Sequence, residues 1–225
     1  MNKPGLLSAV LFVAVLISAH QARAQEDTTQ FKFDIGADLY TSYIWRGSKL
    51  GTGPSLQPSL TFETGGLTIG VWGAFDASGY METDPYISYS FPFGLSIGLL
   101  DYYLPGMPFF EVSDTIGSHA FEINAGYHTG GFSLSANYIL NEASGIGSDG
   151  GDMYFQTGYE FRHFNIFLGA GNGWHTSNGD FAICNIGLGA TKEIKITDSF
   201  SIPVNGQVIL NPEKEQLFVV VGFSF

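Results

Sequence analysis

Apolar residues are plentiful in this chain but never gather into a long run. Hydrophobic residues make up 44% of it, aromatics 15% and charged residues only 13%, the last about half the usual share of a soluble domain. Past residue 24 no apolar stretch approaches the roughly 18–20 residues that a helix needs to cross a bilayer. Apolar and polar residues instead alternate with a period of two, in segments bounded by Gly, Pro, Asn and Asp. That period sends successive side chains to opposite faces of a strand. A chain written this way folds as β-sheet, with its apolar content confined to one face.

The pattern predicts twelve strands, over 31–46, 54–64, 66–76, 84–92, 94–104, 118–128, 131–141, 152–162, 164–174, 181–194, 199–210 and 215–225. Connections after the even-numbered strands are tight, as at Gly65-Gly66, Pro92-Phe93-Gly94 and Gly130-Gly131. Those after the first five odd-numbered strands are longer, over 47–53, 77–83, 105–117, 141–151 and 176–180. Short turns at one rim and long loops at the other are the layout of an up-and-down transmembrane barrel. A sandwich with Greek-key crossovers has no reason to sort its loops by parity.

Which face is apolar decides the solvent. The first strand sets Phe33, Ile35, Ala37 and Leu39 against Lys32, Asp34, Asp38 and Tyr40; the sixth sets Phe121, Ile123 and Tyr127 against Glu122, Asn124 and His128. A Lys or Arg on a lipid face at mid-bilayer costs roughly 2–4 kcal/mol, so charge-free apolar faces are what lipid demands. A soluble barrel with an apolar interior would alternate in the same way. Three features favour lipid. Aromatics (Tyr43, Trp45, Phe75, Tyr102, Tyr103, Trp174) fall near strand ends, where interfacial girdles form. The polar face is rich in glycine and small residues. The chain ends in an amphipathic strand, Leu217-x-Val219-x-Val221-x-Phe223-x-Phe225, whose Phe223 and Phe225 resemble the assembly signal of outer-membrane barrels. The expected fold is therefore all-β, a twelve-stranded antiparallel transmembrane barrel. In the fifth strand Asp101 falls on the lipid phase, and a bulge near Leu99-Leu100 is expected to return it to the lumen.

Residues 1–24 read as a secretory signal. Lys3 opens the segment, Leu6 to Ile17 form its apolar stretch, and Ala22-Arg23-Ala24 is an A-x-A cleavage site. The expected mature domain is 25–225, exported to the outer membrane of a Gram-negative cell. The net charge is −12, and becomes −14 when Lys3 and Arg23 leave seven basic against 21 acidic residues. Such a surface has no basic face for nucleic acid. The single cysteine, Cys184, excludes an intrachain disulfide and a thiolate zinc cluster.

The run Tyr40-Thr41-Ser42-Tyr43-Ile44-Trp45-Arg46-Gly47, followed by Gln57-Pro58, by Gly70-Val71-Trp72-Gly73 and by Asp101-Tyr102-Tyr103-Leu104-Pro105-Gly106, resembles the TorF family of porin-like proteins. The resemblance covers roughly residues 34–104; the C-terminal half matches it in architecture. It implies an outer-membrane barrel with a porin role, bathed in outer-membrane lipid and lipopolysaccharide, inserted by the barrel-assembly machinery, and passing small polar solutes.

By phase, the lumen should be lined by Lys32, Asp34, Asp38, Arg46, Glu63, Asp76, Asp84, Glu122, Glu160 and Arg162. Acids outnumber bases there, so an open lumen favours cations. Such charges also pair across a narrow barrel and brace it, and twelve strands fall between filled eight-stranded barrels and wide 16–18-stranded channels. Arg46 is the expected constriction or rim residue. A second candidate is Trp174-His175-Thr176-Ser177-Asn178, which resembles the His-x-Ser-Asn stretch of outer-membrane lipid A deacylases and phospholipase A. Two residues apart on a strand, His175 would act as general base to a Ser177 nucleophile. The orienting acid such a pair needs is missing from the next strand, so an ordinary turn and a non-enzymatic barrel are preferred. The loop 141–152 is acidic and glycine-rich, with oxygens that could hold a weak calcium ion, but it lacks EF-hand spacing and a solvated loop is preferred. No metal or cofactor is expected.

Overall fold

The structure is a computed structural model that describes residues 31–198 and 200–225; the expected signal segment and its cleavage site lie outside the described residues. The strands are β1 (Lys32–Tyr40), β2 (Tyr43–Trp45), β3 (Ser48–Leu50), β4 (Ser55–Thr64), β5 (Leu67–Asp76), β6 (Met81–Ser90), β7 (Leu95–Tyr103), β8 (His119–Thr129), β9 (Phe132–Ile139), β10 (Met153–Glu160), β11 (Asn165–Gly171), β12 (Ala182–Lys195), β13 (Ser201–Asn211) and β14 (Gln216–Ser224). Twelve of them form one closed antiparallel barrel, in which β1 pairs with both β4 and β14. The other two, β2 and β3, make a separate hairpin. Strands of about ten residues, rising about 3.3 Å per residue and tilted by about 40°, climb roughly 25 Å, the height of an outer-membrane apolar band.

Exposed apolar side chains cover the outer wall: Phe33, Ile35, Leu60, Ile87, Ile97, Ile123, Leu134, Ile166, Leu188, Val208 and Val219. In water a continuous apolar wall of this extent would aggregate; among acyl chains it is satisfied. Rings collect at the tight-turn rim, with Tyr89, Phe91 and Phe93 in one file and Phe161 stacked on Phe164. Among the described residues no helix is long and apolar enough to cross a membrane.

On the inner wall, aromatic rings lie over glycines of the neighbouring strand. Tyr40 faces Gly222, Tyr86 faces Gly70 and Phe167 faces Gly187, each a direct cross-strand pair. A Cβ built on Gly187 would sit 1.9 Å from the Phe167 ring. Without side chains at these positions the rings lie flat along the wall, rather than across the lumen.

Several expectations are corrected. The first strand ends at Tyr40, not at residue 46: the chain turns at Thr41-Ser42 and runs into the β2–β3 hairpin. Tyr43, Trp45 and Tyr102 are buried in the interior rather than sitting in a girdle, and Trp174 packs against them; Phe75 and Tyr103 do lie on the outward phase. β11 stops at Gly171, and the expected end of that strand bends inward as a short 3-10 turn, Gly173–His175. No bulge rescues Asp101, because β7 runs in unbroken register against β8 from Leu95↔Tyr127 to Tyr103↔His119. Asp101 keeps its outward phase and is partnered by a second polar group there: its Oδ2 lies 2.8 Å from Nδ1 of His119, whose ring is stacked on Tyr103 and met edge-on by Phe109. The irregularity falls instead on β12, where the pairing with β11 shifts at Gly169/Ala170 and leaves Cys184 without a partner position.

Candidate functional site

The β2–β3 hairpin is folded into the barrel, and its tip makes the site. Trp45 pairs with Ser48, so Arg46 and Gly47 are the two turn residues, at φ 48° and 84°. Two positive φ values are the requirement of a type I′ turn, whose twist suits short hairpins. Glycine adopts it freely; for Arg46 the left-handed backbone costs roughly 1–2 kcal/mol. Gly47 is needed for closeness as well, since a Cβ there would lie 1.9 Å from the Cys184 carbonyl oxygen. The β12 irregularity thus forms the seat of the hairpin tip. Asn211 Nδ2 donates to the Gly47 carbonyl and Lys214 Nζ to Ser48 Oγ, at 3.0 and 2.9 Å.

Arg46 reaches β8 and meets Glu122 through both ends of its guanidinium. Nη1 donates to Oε2 at 2.6 Å and Nη2 to Oε1 at 2.8 Å. The two side chains are 2% and 1% exposed, so the fork is dry and charge-assisted. Tyr102 and Asn124 donate to the same carboxylate, and Asn124 donates on to Asn137. The guanidinium lies 4.9 Å from the Trp45 ring and 4.5 Å from that of Tyr154. Trp45 meets Tyr102, Trp174 and His175 edge-on or tilted. His175 Nε2 is 3.4 Å from Arg46 Nη1. Burial, aided by the charges of Arg46 and Lys214, holds its imidazole well below the usual histidine range, so it is neutral. Together the hairpin and the Gly173–His175 turn lie inside the barrel and narrow the lumen at its long-loop end.

The other half of the lumen differs. Toward the tight turns the inward positions are mostly small or polar: Gly36, Ser59, Thr61, Ser88, Gly98, Asn124, Ser133 and Gly158. This half is a polar vestibule; the long-loop half is an aromatic plug.

The predicted lumen residues fall into three groups. Arg46, Glu122 and Asp84 are buried in the plug region. Lys32, Asp34, Asp38 and Glu63 lie on the inner face of β1 and β4, where Lys32 Nζ is 3.5 Å from Glu63 at the tight-turn mouth and Asp38 faces Ser224 across the β1–β14 seam. The remaining three are rim residues. Asp76 accepts hydrogen bonds from the backbone of Thr52, Gly53, Ser78 and Tyr80 and so clamps two loops. Glu160 ends β10, and Arg162 lies in the following turn, beyond the strand expected to carry it.

His175 and Ser177 are not brought together. His175 is interior, and its Nδ1 has no hydrogen-bond partner. Ser177 is exposed, with both its amide and its hydroxyl bonded to Glu213. Phe223 and Phe225 point outward at the end of β14. Glu82, Tyr154, Gln156 and Asn185 are interior polar residues beyond the predicted lumen set; Tyr154 donates to Gln156 and accepts from Asn185. Glu82 was legible, since Glu82-Thr83-Asp84-Pro85-Tyr86 carries the alternation of its strand two residues upstream of the expected start at 84. Among the described residues no group of three or more His, Cys, Asp or Glu side chains is placed to hold a metal.

No protein-family model matches the chain, and no curated protein does. Among solved structures it is similar to mutants of Rhodopseudomonas blastica porin. A triple mutant aligns at 13% identity and a TM-score of 0.44, over 87% of this chain and 99% of that one. Another mutant aligns at 14% identity and a TM-score of 0.40, over 76% of this chain. In that alignment the chain spans 55% of the porin's length.

Proposed function

We propose that this chain is an outer-membrane barrel of the porin class, exported by its N-terminal segment and related to the TorF type. It passes small polar or cationic solutes passively through a narrow acidic lumen. The β2–β3 hairpin sets the open cross-section. The observation that carries this reading is the hairpin itself: a separate, locally twisted element seated inside a closed barrel, above a vestibule lined by glycine, serine and asparagine. A barrel needed only as a wall requires no such vestibule. The excess of inward carboxylates (Asp34, Asp38, Glu63, Glu82, Asp84, Glu122) supports a preference for cations over anions. Lipid and lipopolysaccharide surround the outer wall, and the assembly machinery reads Phe223 and Phe225.

A sealed structural barrel is the second reading, favoured by the ring cluster of Trp45, Tyr102 and Trp174. Single-channel recording across a planar bilayer with a salt gradient separates the two. The porin reading expects small cation-selective steps that grow when the hairpin is undocked. Silence from both the wild-type barrel and a hairpin-deleted one refutes it.

A further inference from the structure

Beside the hairpin, on the wall opposite Cys184, lies a group of oxygens that the Arg46–Glu122 pair does not use. Glu82 and Asp84 are two residues apart on β6 and share its inner face. Both are buried, Asp84 completely. Glu82 accepts a hydrogen bond from Tyr80 at 2.8 Å. Neither oxygen of Asp84 makes a well-formed hydrogen bond; the Glu82 carboxyl and the Tyr103 amide stand beside it. The Tyr43 hydroxyl, brought to this place by β2, is buried beside the two carboxylates, Glu82 foremost, and makes no well-formed hydrogen bond. Among the described residues the buried cation of the plug, Arg46, is engaged with Glu122.

A buried carboxylate short of well-formed hydrogen bonds is among the more costly arrangements in a protein, and a second one beside it adds to the cost. The wall is open at the same point. The β6–β7 ladder runs from Ser90↔Ser96 only to Tyr86↔Leu100, and the next residue of β6, Pro85, has no N–H to offer. Met81–Pro85 remain paired with β5, and Asp101–Tyr103 with β8. Backbone oxygens on the open side are therefore not committed to this ladder.

We propose that Glu82, Asp84 and the Tyr43 hydroxyl form a binding site for a hard divalent cation of the calcium class. Two negative charges are matched by one double-positive ion. All the donors are oxygens, which calcium prefers, and its flexible six-to-eight-fold shell accepts carbonyls and water in the remaining places. The site joins the hairpin, through Tyr43, to the barrel wall, so a bound ion holds the plug in place by a tie independent of Arg46 and Glu122. The inference needs only the fold and these residues, and stands whether or not the barrel conducts.

The test uses the full mature chain folded in detergent micelles and stripped with a chelator, with terbium(III) and calcium as probes. Trp72 lies against Tyr43, with ring centroids 5.5 Å apart, and should sensitise terbium luminescence. Expected are saturation near one equivalent, reversal by calcium, and a calcium-dependent rise in unfolding temperature. Asp84→Asn and Glu82→Gln should each weaken terbium binding by about tenfold or more and abolish the calcium-dependent rise, while migrating on gels as folded barrels. If one of them does not fold, the other, together with Tyr43→Phe, decides. The proposal is overturned if the stripped wild type gains no stability from calcium. It is also overturned if the variants bind terbium as the wild type does, which would place the ion on surface loops such as 141–152.

Discussion

Removing Glu122 should unseat the hairpin. In Glu122→Ala, Arg46 loses both partners of its fork and stays charged in a dry interior, with only ring faces and the neutral His175 for company. Stripping one member from a buried ion pair costs about 3–5 kcal/mol. The barrel need not unfold to escape that cost, because its ladders do not pass through β2 or β3. The cheaper response is for the hairpin to swing out and hydrate Arg46, which also relieves the left-handed strain at that residue. At about 1.4 kcal/mol per factor of ten, the docked-to-undocked ratio should fall roughly a hundred- to several-thousand-fold. What resists is the burial of Tyr43 and Trp45, about 2–3 kcal/mol each, and the two bonds from Asn211 and Lys214. The losses and the resistance are of similar size, so the variant should populate both states. The assay is conductance with parallel trypsin cleavage at Arg46 and Lys49. The expected result is larger, flickering steps and fast cleavage in an otherwise heat-stable barrel. Cleavage and conductance unchanged from the wild type would refute the argument that this pair seats the hairpin.

Gly187→Val should force the Phe167 ring off the wall and lower the denaturant midpoint, with an overpacking cost of about 1–3 kcal/mol; pairing it with Phe167→Ala should recover part of that loss in urea titrations. Acidification should loosen the plug through His175. Its folded pKa is depressed, so its contribution is fully present above the ordinary histidine value of about 6.5 and declines as pH falls below it, when the undocked state takes the proton first. His175→Phe should flatten the dependence of protease sensitivity on pH between about 7 and 5, whereas an unchanged slope would assign the effect elsewhere. Ser177→Ala should change stability by less than about 0.5 kcal/mol, and neither it nor the wild type should release fatty acid from phospholipid or lipid A; release that depends on Ser177 would revive the hydrolase reading.

The barrel was legible because a period of two and loop parity are written into every strand, and lipid imposes the same rule on each outer face. The plug was not. Tyr43-Ile44-Trp45-Arg46 keeps the alternation of β1, so nothing in the pattern says that the chain reverses at Thr41-Ser42. The clue is Arg46-Gly47, a poor pair for a strand end and a good one for a tight turn, but a lone glycine after an arginine is weak by itself. The same blindness moved Tyr102 and Trp174 to a girdle: an aromatic residue near a strand end reads alike whether it faces headgroups or fills the interior. Asp101 shows the opposite limit. Its phase was plain, yet the expected bulge was wrong, because the compensating histidine comes from another strand 18 residues away.

The seam between β1 and β14 has a consequence for biogenesis. The other ladders join strands adjacent along the barrel's meander, whereas here partners 180 residues apart must meet, as Val221 does when its amide donates to Thr41 Oγ1. The clasp is short: three register pairs, Asp38↔Ser224 to Tyr40↔Gly222, extended by the reciprocal bonds of Ala37 and Phe225. Long-range pairing bears the largest entropic toll and forms late. The nascent ribbon therefore has two raw margins until its final residues arrive, and losing even the last few would leave an unzippered sheet with bare amides in oil.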